Sequence, residues 1–269
     1  MSNQMFKQGL PAEGLLRDGP QTVQPDNLTL GQYFGDENVT YRWAHIAATA
    51  WKAGTCFKKN QYFDGKLAIT SACFSNAVSI AKNRKDINAA HVFGLSGLTA
   101  AIAAKLVDGH LFITCGNGIG RYDITYAETG KDVTVASGGG TTQIYLKQSL
   151  PIKLSTGTTG YLVPNEWYGM TADEGVPIES GGYAVKGGAS VSSGAQSGYA
   201  LVQTRGPGIA YAGGACVSGV LCVAATSGHL SSVPSVPITS DATPIVAIAL
   251  TGGVSNTHFA VDWKFEGGI

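Results

Sequence analysis

The chain has 269 residues, enough for one large or two modest domains with a buried core and no need of disulfide or metal staples. Only 13% of the residues are charged, about half the usual share for a soluble domain, while 44% are hydrophobic. The 18 basic and 18 acidic side chains cancel, which removes the cationic surplus that duplex binding needs to release counterions from phosphates, so no nucleic-acid partner is expected.

Residues 1–38 are rich in Gly, Pro, Gln, Asn and Asp and carry no hydrophobic periodicity. Such a segment cannot bury enough apolar surface to fold alone, so it is expected to be an extended N-terminal arm. Gly9, Pro11, Gly14, Gly19, Pro20 and Pro25 interrupt it, and no apolar h-region of a signal peptide is visible. No window in the chain approaches the roughly 18 uncharged apolar residues of a membrane span, so no membrane partner is expected. The five cysteines, Cys56, Cys73, Cys115, Cys216 and Cys222, are odd in number and form no CxxC. That pattern favours free, mostly buried thiols made in a reducing cytosol; a Cys216–Cys222 bridge across a hairpin is the lesser alternative.

From Tyr41 onward large apolar anchors begin: Tyr41, Trp43, Ile46, Trp51 and Phe57. Tyr41 and Trp43 alternate as in a strand, whereas periodicity leaves 47–53 open between helix and strand. Short strands are expected at 66–70 and 77–81. The best helix is 98–106, where Leu98, Ile102 and Leu106 share one face and Asp108-Gly109 ends the run. Strands then follow at 111–114, 122–126, 133–136 and 143–147, separated by glycine turns. Close spacing of this kind is the mark of an all-β sandwich or barrel. In the second half, strands are expected at 182–185, 199–205, 209–212, 219–224, 245–250 and 257–265. The last is the clearest: Phe259, Val261, Trp263 and Phe265 alternate with His258, Ala260, Asp262 and Lys264. The whole reads as a mainly β chain of sandwich or barrel-like domains with Gly-rich turns: an arm over 1–38, a β-rich domain with a short helix over 39–160, and a second β domain over 161–269.

The motifs that could carry chemistry are outweighed by ordinary readings. Gly116-Asn117-Gly118-Ile119-Gly120 lacks the G-x-G-x-x-G spacing of a dinucleotide loop and precedes a strand, which makes it a β-turn. His45, His91, His110, His229 and His258 form no HxH or HExxH pattern, and metal binding needs three or four converging ligands. A G-x-S-x-G nucleophile elbow is absent. Asp173, Glu174 and Glu179 could in principle serve as paired carboxylates for glycoside hydrolysis, but adjacent acids on a Gly/Pro-rich loop are usually just solvated. No cofactor, metal or catalytic constellation is therefore expected.

A resemblance emerges from the order of several short motifs. Ala104-Lys105-Leu106-Val107-Asp108-Gly109-His110-Leu111-Phe112-Ile113, followed by Tyr122-Asp123-Ile124, resembles an element of tailed-bacteriophage virion proteins. Residues 143–151, ending in Leu150-Pro151, and Leu162-Val163-Pro164-Asn165-Glu166-Trp167-Tyr168 resemble later steps, the second with Pro and Asn inverted. Gly198-Tyr199-Ala200-Leu201-Val202-Gln203-Thr204-Arg205-Gly206-Pro207 and the final strands at 244–250 and 257–265 complete the order over about residues 40–265. The family is that of head decoration, or capsid cement, proteins. The resemblance implies a homo-oligomer, often a trimer, on the virion exterior, bound to the major capsid protein, with neither cofactor nor active site. The expected contact residues are Phe6, Leu10, Leu15, Leu16, Leu28, Leu30, Tyr33, Phe34, Trp167 and Tyr168. On this reading, removing 1–38 weakens capsid binding and leaves folding intact. A tail-associated or receptor-binding β protein is the alternative, and a carbohydrate-active enzyme a more distant one.

Overall fold

A computed structural model describes residues 20–25, 28–59, 67–69, 92–96, 105–115, 119–128, 141–147, 159–172, 187–224, 226–233 and 245–265. The chain forms two compact units, one of residues 1–60 with 167–269 and one of residues 61–166. The first unit is thus discontinuous in sequence, where the sequence suggested an arm followed by two consecutive domains. Both units are built from curled antiparallel sheets, and the described part of the chain is mainly β. The helix expected over 98–106 lies, but for Lys105 and Leu106, outside the described residues, as do the strands expected at 77–81, 133–136 and 182–185.

The first unit opens with β1 (Tyr33–Gly35), β2 (Thr40–Ile46) and β3 (Cys56–Lys58). The second holds β4 (Leu67–Ile69), β5 (Val92–Ser96), β6 (His110–Cys115), β7 (Gly120–Glu128), β8 (Thr141–Leu146) and β9 (Thr159–Val163). The chain then returns to the first through β10 (Thr171–Ala172), β11 (Gly188–Ser190), β12 (Gly198–Tyr211), β13 (Leu221–Ala224), β14 (Leu230–Ser232), β15 (Ile245–Ala249) and β16 (His258–Lys264). The ten-stranded sheet runs β10-β3-β11-β12-β16-β15-β13-β14, with β2 pairing both β1 and β12. The six-stranded sheet of the second unit runs β4-β9-β6-β7-β8-β5.

Residues 28–35 are part of the first unit's core. Leu28, Leu30 and Phe34 are buried with Trp43, Ile46, Trp51, Phe57, Met170 and Leu201. β1 and β2 form a hairpin whose turn is held by Asp36: its carboxylate accepts the backbone N–H groups of Asn38 and Val39 at 2.8 and 2.9 Å. Those two donors hold the Asp36 carboxyl below its ordinary pKa. The Gly31 N–H donates to Trp43 O and the Trp43 N–H to Gln32 O, which extends the pairing beyond the strand. Residues 47–53 are neither helix nor regular strand; an isolated bridge pins Trp51 to Gly194.

β12 is one strand of 14 residues where the sequence suggested two, at 199–205 and 209–212. Its first half pairs with β2 and β11, and its second half pairs with β16. The Gly206-Pro207-Gly208 step bends the strand without ending it. Gly206 takes φ 90°, open to glycine alone at low cost, and a Cβ there would overlap the Asn38 carbonyl oxygen. The buried Gln203 side chain stabilises the bend by donating to the carbonyls of Arg205, Gly206 and Pro207 at 3.1, 3.1 and 2.8 Å. In β16 the expected alternation holds: Phe259, Val261, Trp263 and the following Phe265 are buried together with Ala247, Cys222 and Leu230.

Candidate functional site

The sequence candidates fall into three groups. Leu28, Leu30, Phe34 and Trp167 are 7%, 4%, 9% and 4% exposed, so the chain uses them in its own core. The physical reason is burial: apolar side chains too sparse to make a core by themselves complete one supplied by β2, β12 and Met170. Tyr33 and Tyr168 are half-buried, each with part of its ring at the surface. Phe6, Leu10, Leu15 and Leu16 lie outside the described residues, as do Asp173, Glu174 and Glu179.

Tyr33 and Trp167 are brought together at Arg42 of β2, and Tyr168 at His45 of the same strand. The segment after β9 is pinned to that strand: His45 N–H donates to Trp167 O, Met170 N–H to His45 O, and Ala47 N–H to Met170 O. This fixes Trp167 on one side of β2 beside Arg42. The Arg42 guanidinium lies 5.1 Å from the Tyr33 ring centroid and 5.9 Å from that of Trp167, and donates to Gly31 O at 3.1 Å. The Lys59 ammonium sits 4.5 Å from the Trp167 ring. Gly31 carries no side chain because the indole packs against it; an added Cβ would lie 2.7 Å from the ring. Two cations on one buried indole give each about 0.5–2 kcal/mol, depending on how far water is excluded.

His45 lies three residues further along β2, on the strand's opposite face. Its ring stacks on Tyr168 at 4.4 Å with an interplanar angle of 7°, and meets the edge of Tyr199 at 4.8 Å. Tyr199 is its direct partner across the β2–β12 pair. Ser197 Oγ donates to Ile46 O at 3.0 Å and lies 3.3 Å from His45 Nε2. With the hydroxyl proton committed to the carbonyl, Nε2 is the protonated nitrogen and donates to Ser197, leaving the buried Nδ1 as a bare acceptor without a protein partner. Burial accordingly pushes the His45 pKa down, and no carboxylate counters it. Tyr33, Arg42, Lys59 and Trp167 thus form one aromatic and cationic cluster, and His45, Tyr168 and Tyr199 form a second on the opposite face of β2. Arg42, His45 and Tyr199 were not singled out from sequence. Their contribution depends on a β2–β12 register that joins residues more than a hundred and fifty positions apart.

In the second unit, His110 and Asp123 are direct cross-strand partners in β6 and β7. Asp123 Oδ1 accepts from His110 Nδ1 at 2.9 Å and from Arg121 Nε and Nη2 at 3.2 and 3.1 Å. Burial is the first cause of a lowered His110 pKa, with the Arg121 charge second; the Asp123 contact opposes them without prevailing. Asp108, at φ 58°, makes the sharp turn into β6, and Asn165 Nδ2 donates to its carbonyl at 2.9 Å. The pair fixes an imidazole, but no hydroxyl or thiol is hydrogen-bonded to it among the described residues. No three His, Cys, Asp or Glu side chains converge on a metal-sized site among those residues either. Cys56, Cys216 and Cys222 are buried and Cys115 is exposed, and none of the four forms a disulfide.

The fold is that of a mainly antiparallel β protein with two aromatic clusters flanking β2. Comparison with protein-family models, curated proteins and solved structures gives no match.

Proposed function

We propose that the chain is a structural virion protein of the head-decoration type, which associates with copies of itself and binds the outside of a phage capsid to cement neighbouring capsid subunits. The observation that carries the reading is a surface poor in ions. With 13% charged residues and no net charge, the chain keeps Ile209, Val217 and Val254 each more than half exposed. Interface cores are depleted in Lys, Glu and Asp and enriched in aromatic residues, and the cluster of Tyr168, His45 and Tyr199 has that composition. A clamp that binds only the assembled shell stabilises it by mass action. Many copies on a symmetric shell let a modest affinity per site suffice.

The test is electron cryomicroscopy of virions made by the genome that encodes the chain, together with binding of the purified protein to shells lacking it. Density for many copies on the shell exterior, and restored resistance of the shell to heat, are the expected results. A handful of copies at the tail, or none in the particle, overturns the reading.

A further inference from the structure

Cys216 and Cys222 both belong to the buried cluster around Trp263 and Val261. The chain between them reverses in a turn over 217–220, where the Val220 N–H donates to Val217 O and Gly219 takes φ 80°. Cys222 lies opposite Ser232 in the β13–β14 pair, so the two side chains share the core face of the sheet. The Ser232 hydroxyl oxygen accepts the Val217 N–H at 3.0 Å, which sets the start of the turn against that face. One residue earlier, Cys216 Sγ lies 3.7 Å from Leu230 O on the same strand β14, and its backbone is bridged to Gly253. The two thiols thereby come within hydrogen-bonding reach of each other. Val217, Ser218 and Gly219 remain exposed, so the turn forms an outer flap over the pair, fastened by Ser218 Oγ donating to Leu250 O and Gly219 N–H to Ala249 O.

We propose that Cys216 and Cys222 are a redox pair, which a low-molecular-weight disulfide such as glutathione disulfide converts into an intrachain disulfide that staples the 217–220 turn to β13. The thiolate of Cys216 attacks one sulfur of glutathione disulfide, and the other glutathione leaves as a thiolate that takes up a proton. The Cys222 thiolate then attacks Cys216 Sγ in this mixed disulfide and expels the second glutathione, which is protonated in turn. The chain gives up two protons and two electrons, and one glutathione disulfide becomes two glutathione thiols. The second step is favoured because the fold holds Cys222 beside Cys216 at a concentration that no free glutathione matches. Burial raises both thiols above their ordinary range, so the closed core reacts slowly. The exchange therefore runs while the turn is still open, as the chain folds or when the flap lifts. Cys115 belongs to the second unit and is exposed, so it has no part in this pair.

This inference does not rest on the decoration reading. The experiment refolds the reduced full chain from urea into buffer containing glutathione and glutathione disulfide, blocks remaining thiols with iodoacetamide, and maps the protein by mass spectrometry without reduction. No Lys or Arg lies between Arg205 and Lys264, so trypsin releases residues 206–264 as one fragment whose only cysteines are Cys216 and Cys222. That fragment is expected to be lighter by two hydrogens and to carry no alkyl group. The same treatment in urea is expected to give at least about tenfold less of this product and mainly glutathione adducts, since the native contact is then absent. Oxidation is expected to raise the urea midpoint of wild type by about 0.5–1 M, reversibly with dithiothreitol, and to leave that of Cys222→Ala unchanged. The mass readout on wild type decides the matter even where the variant folds poorly. A refolded fragment with two alkylated thiols, a bond from either cysteine to Cys56, equal yields with and without urea, or a midpoint that oxidation does not move overturns the proposal.

Discussion

Deleting residues 1–38 separates a loose arm from an integral part of the fold. The deletion removes Leu28, Leu30 and Phe34 from the core and takes away the β1 ladder. It also removes the hydrogen bonds between Gly31, Gln32 and Trp43. At about 1.5–3 kcal/mol for each fully buried side chain, the three account for roughly 5–9 kcal/mol. That is comparable with the whole stability of a typical domain, about 5–15 kcal/mol. The first unit is therefore expected not to fold without this segment, contrary to what its composition suggests. A single substitution gives a graded version: Leu30→Ala removes a side chain that is 4% exposed and should cost about 2–5 kcal/mol. Urea unfolding followed by tryptophan fluorescence reads both, since Trp43 and Trp167 lie in the same cluster. With a urea m-value of about 3 kcal/mol per molar, Leu30→Ala lowers the midpoint by about 0.7–1.7 M. A truncated protein with the wild-type midpoint and slope would refute the packing argument.

Four further outcomes are expected. Burial lowers the pKa values of His45, His110 and His229, so the unfolded chain takes up protons first as pH falls below about 6.5. Stability is then full above that pH and declines below it until the folded-state pKa values are passed. His45→Phe keeps the stack on Tyr168 and removes one of these groups, so a plot of midpoint against pH should become shallower; an identical slope would count against the assignment. Gly206→Ala meets both a φ of 90° and the Asn38 carbonyl, and should lower the urea midpoint by more than the few tenths of a molar that an ordinary surface change produces. Gln203→Leu strips the donor from three carbonyls at the β12 bend and should cost about 1–3 kcal/mol, measured in the same way. Finally, burial pushes the Cys222 thiol up to about 12 and raises that of Cys216, so a thiol reagent at neutral pH should modify Cys115 quickly and these two only after unfolding, as peptide mass spectrometry would report.

What could be read from sequence was what local pattern encodes. The alternation from Phe259 to Phe265 shows which face of β16 is buried, because side-chain period and burial coincide within one strand. The anchors Trp43 and Ile46 are likewise visible as the buried positions of β2. Leu28 and Leu30 were hidden by their surroundings: two leucines among Gly, Pro and Asn look solvated until β2 and Met170 are placed against them. β12 was split in two because Gly206-Pro207 reads as a break, and only the Gln203 side chain and the approach of Asn38 explain why the strand continues. The two clusters were half legible. Tyr33, Trp167 and Tyr168 could be chosen by residue type, but His45 and Tyr199 meet beside Tyr168 through a long-range register that no window of sequence contains.

The route of the backbone has a practical consequence. Residues 61–166 leave the first unit just after β3 and return just before β10, and those two strands are hydrogen-bonded neighbours, Lys58 opposite Thr171 and Phe57 opposite Ala172. Exit and entry are therefore two adjacent posts of one gate. A stretch bounded in this way can be cut out and its ends rejoined through a short turn, or exchanged for a foreign cargo whose termini lie close together, while the strands on either side keep their partners.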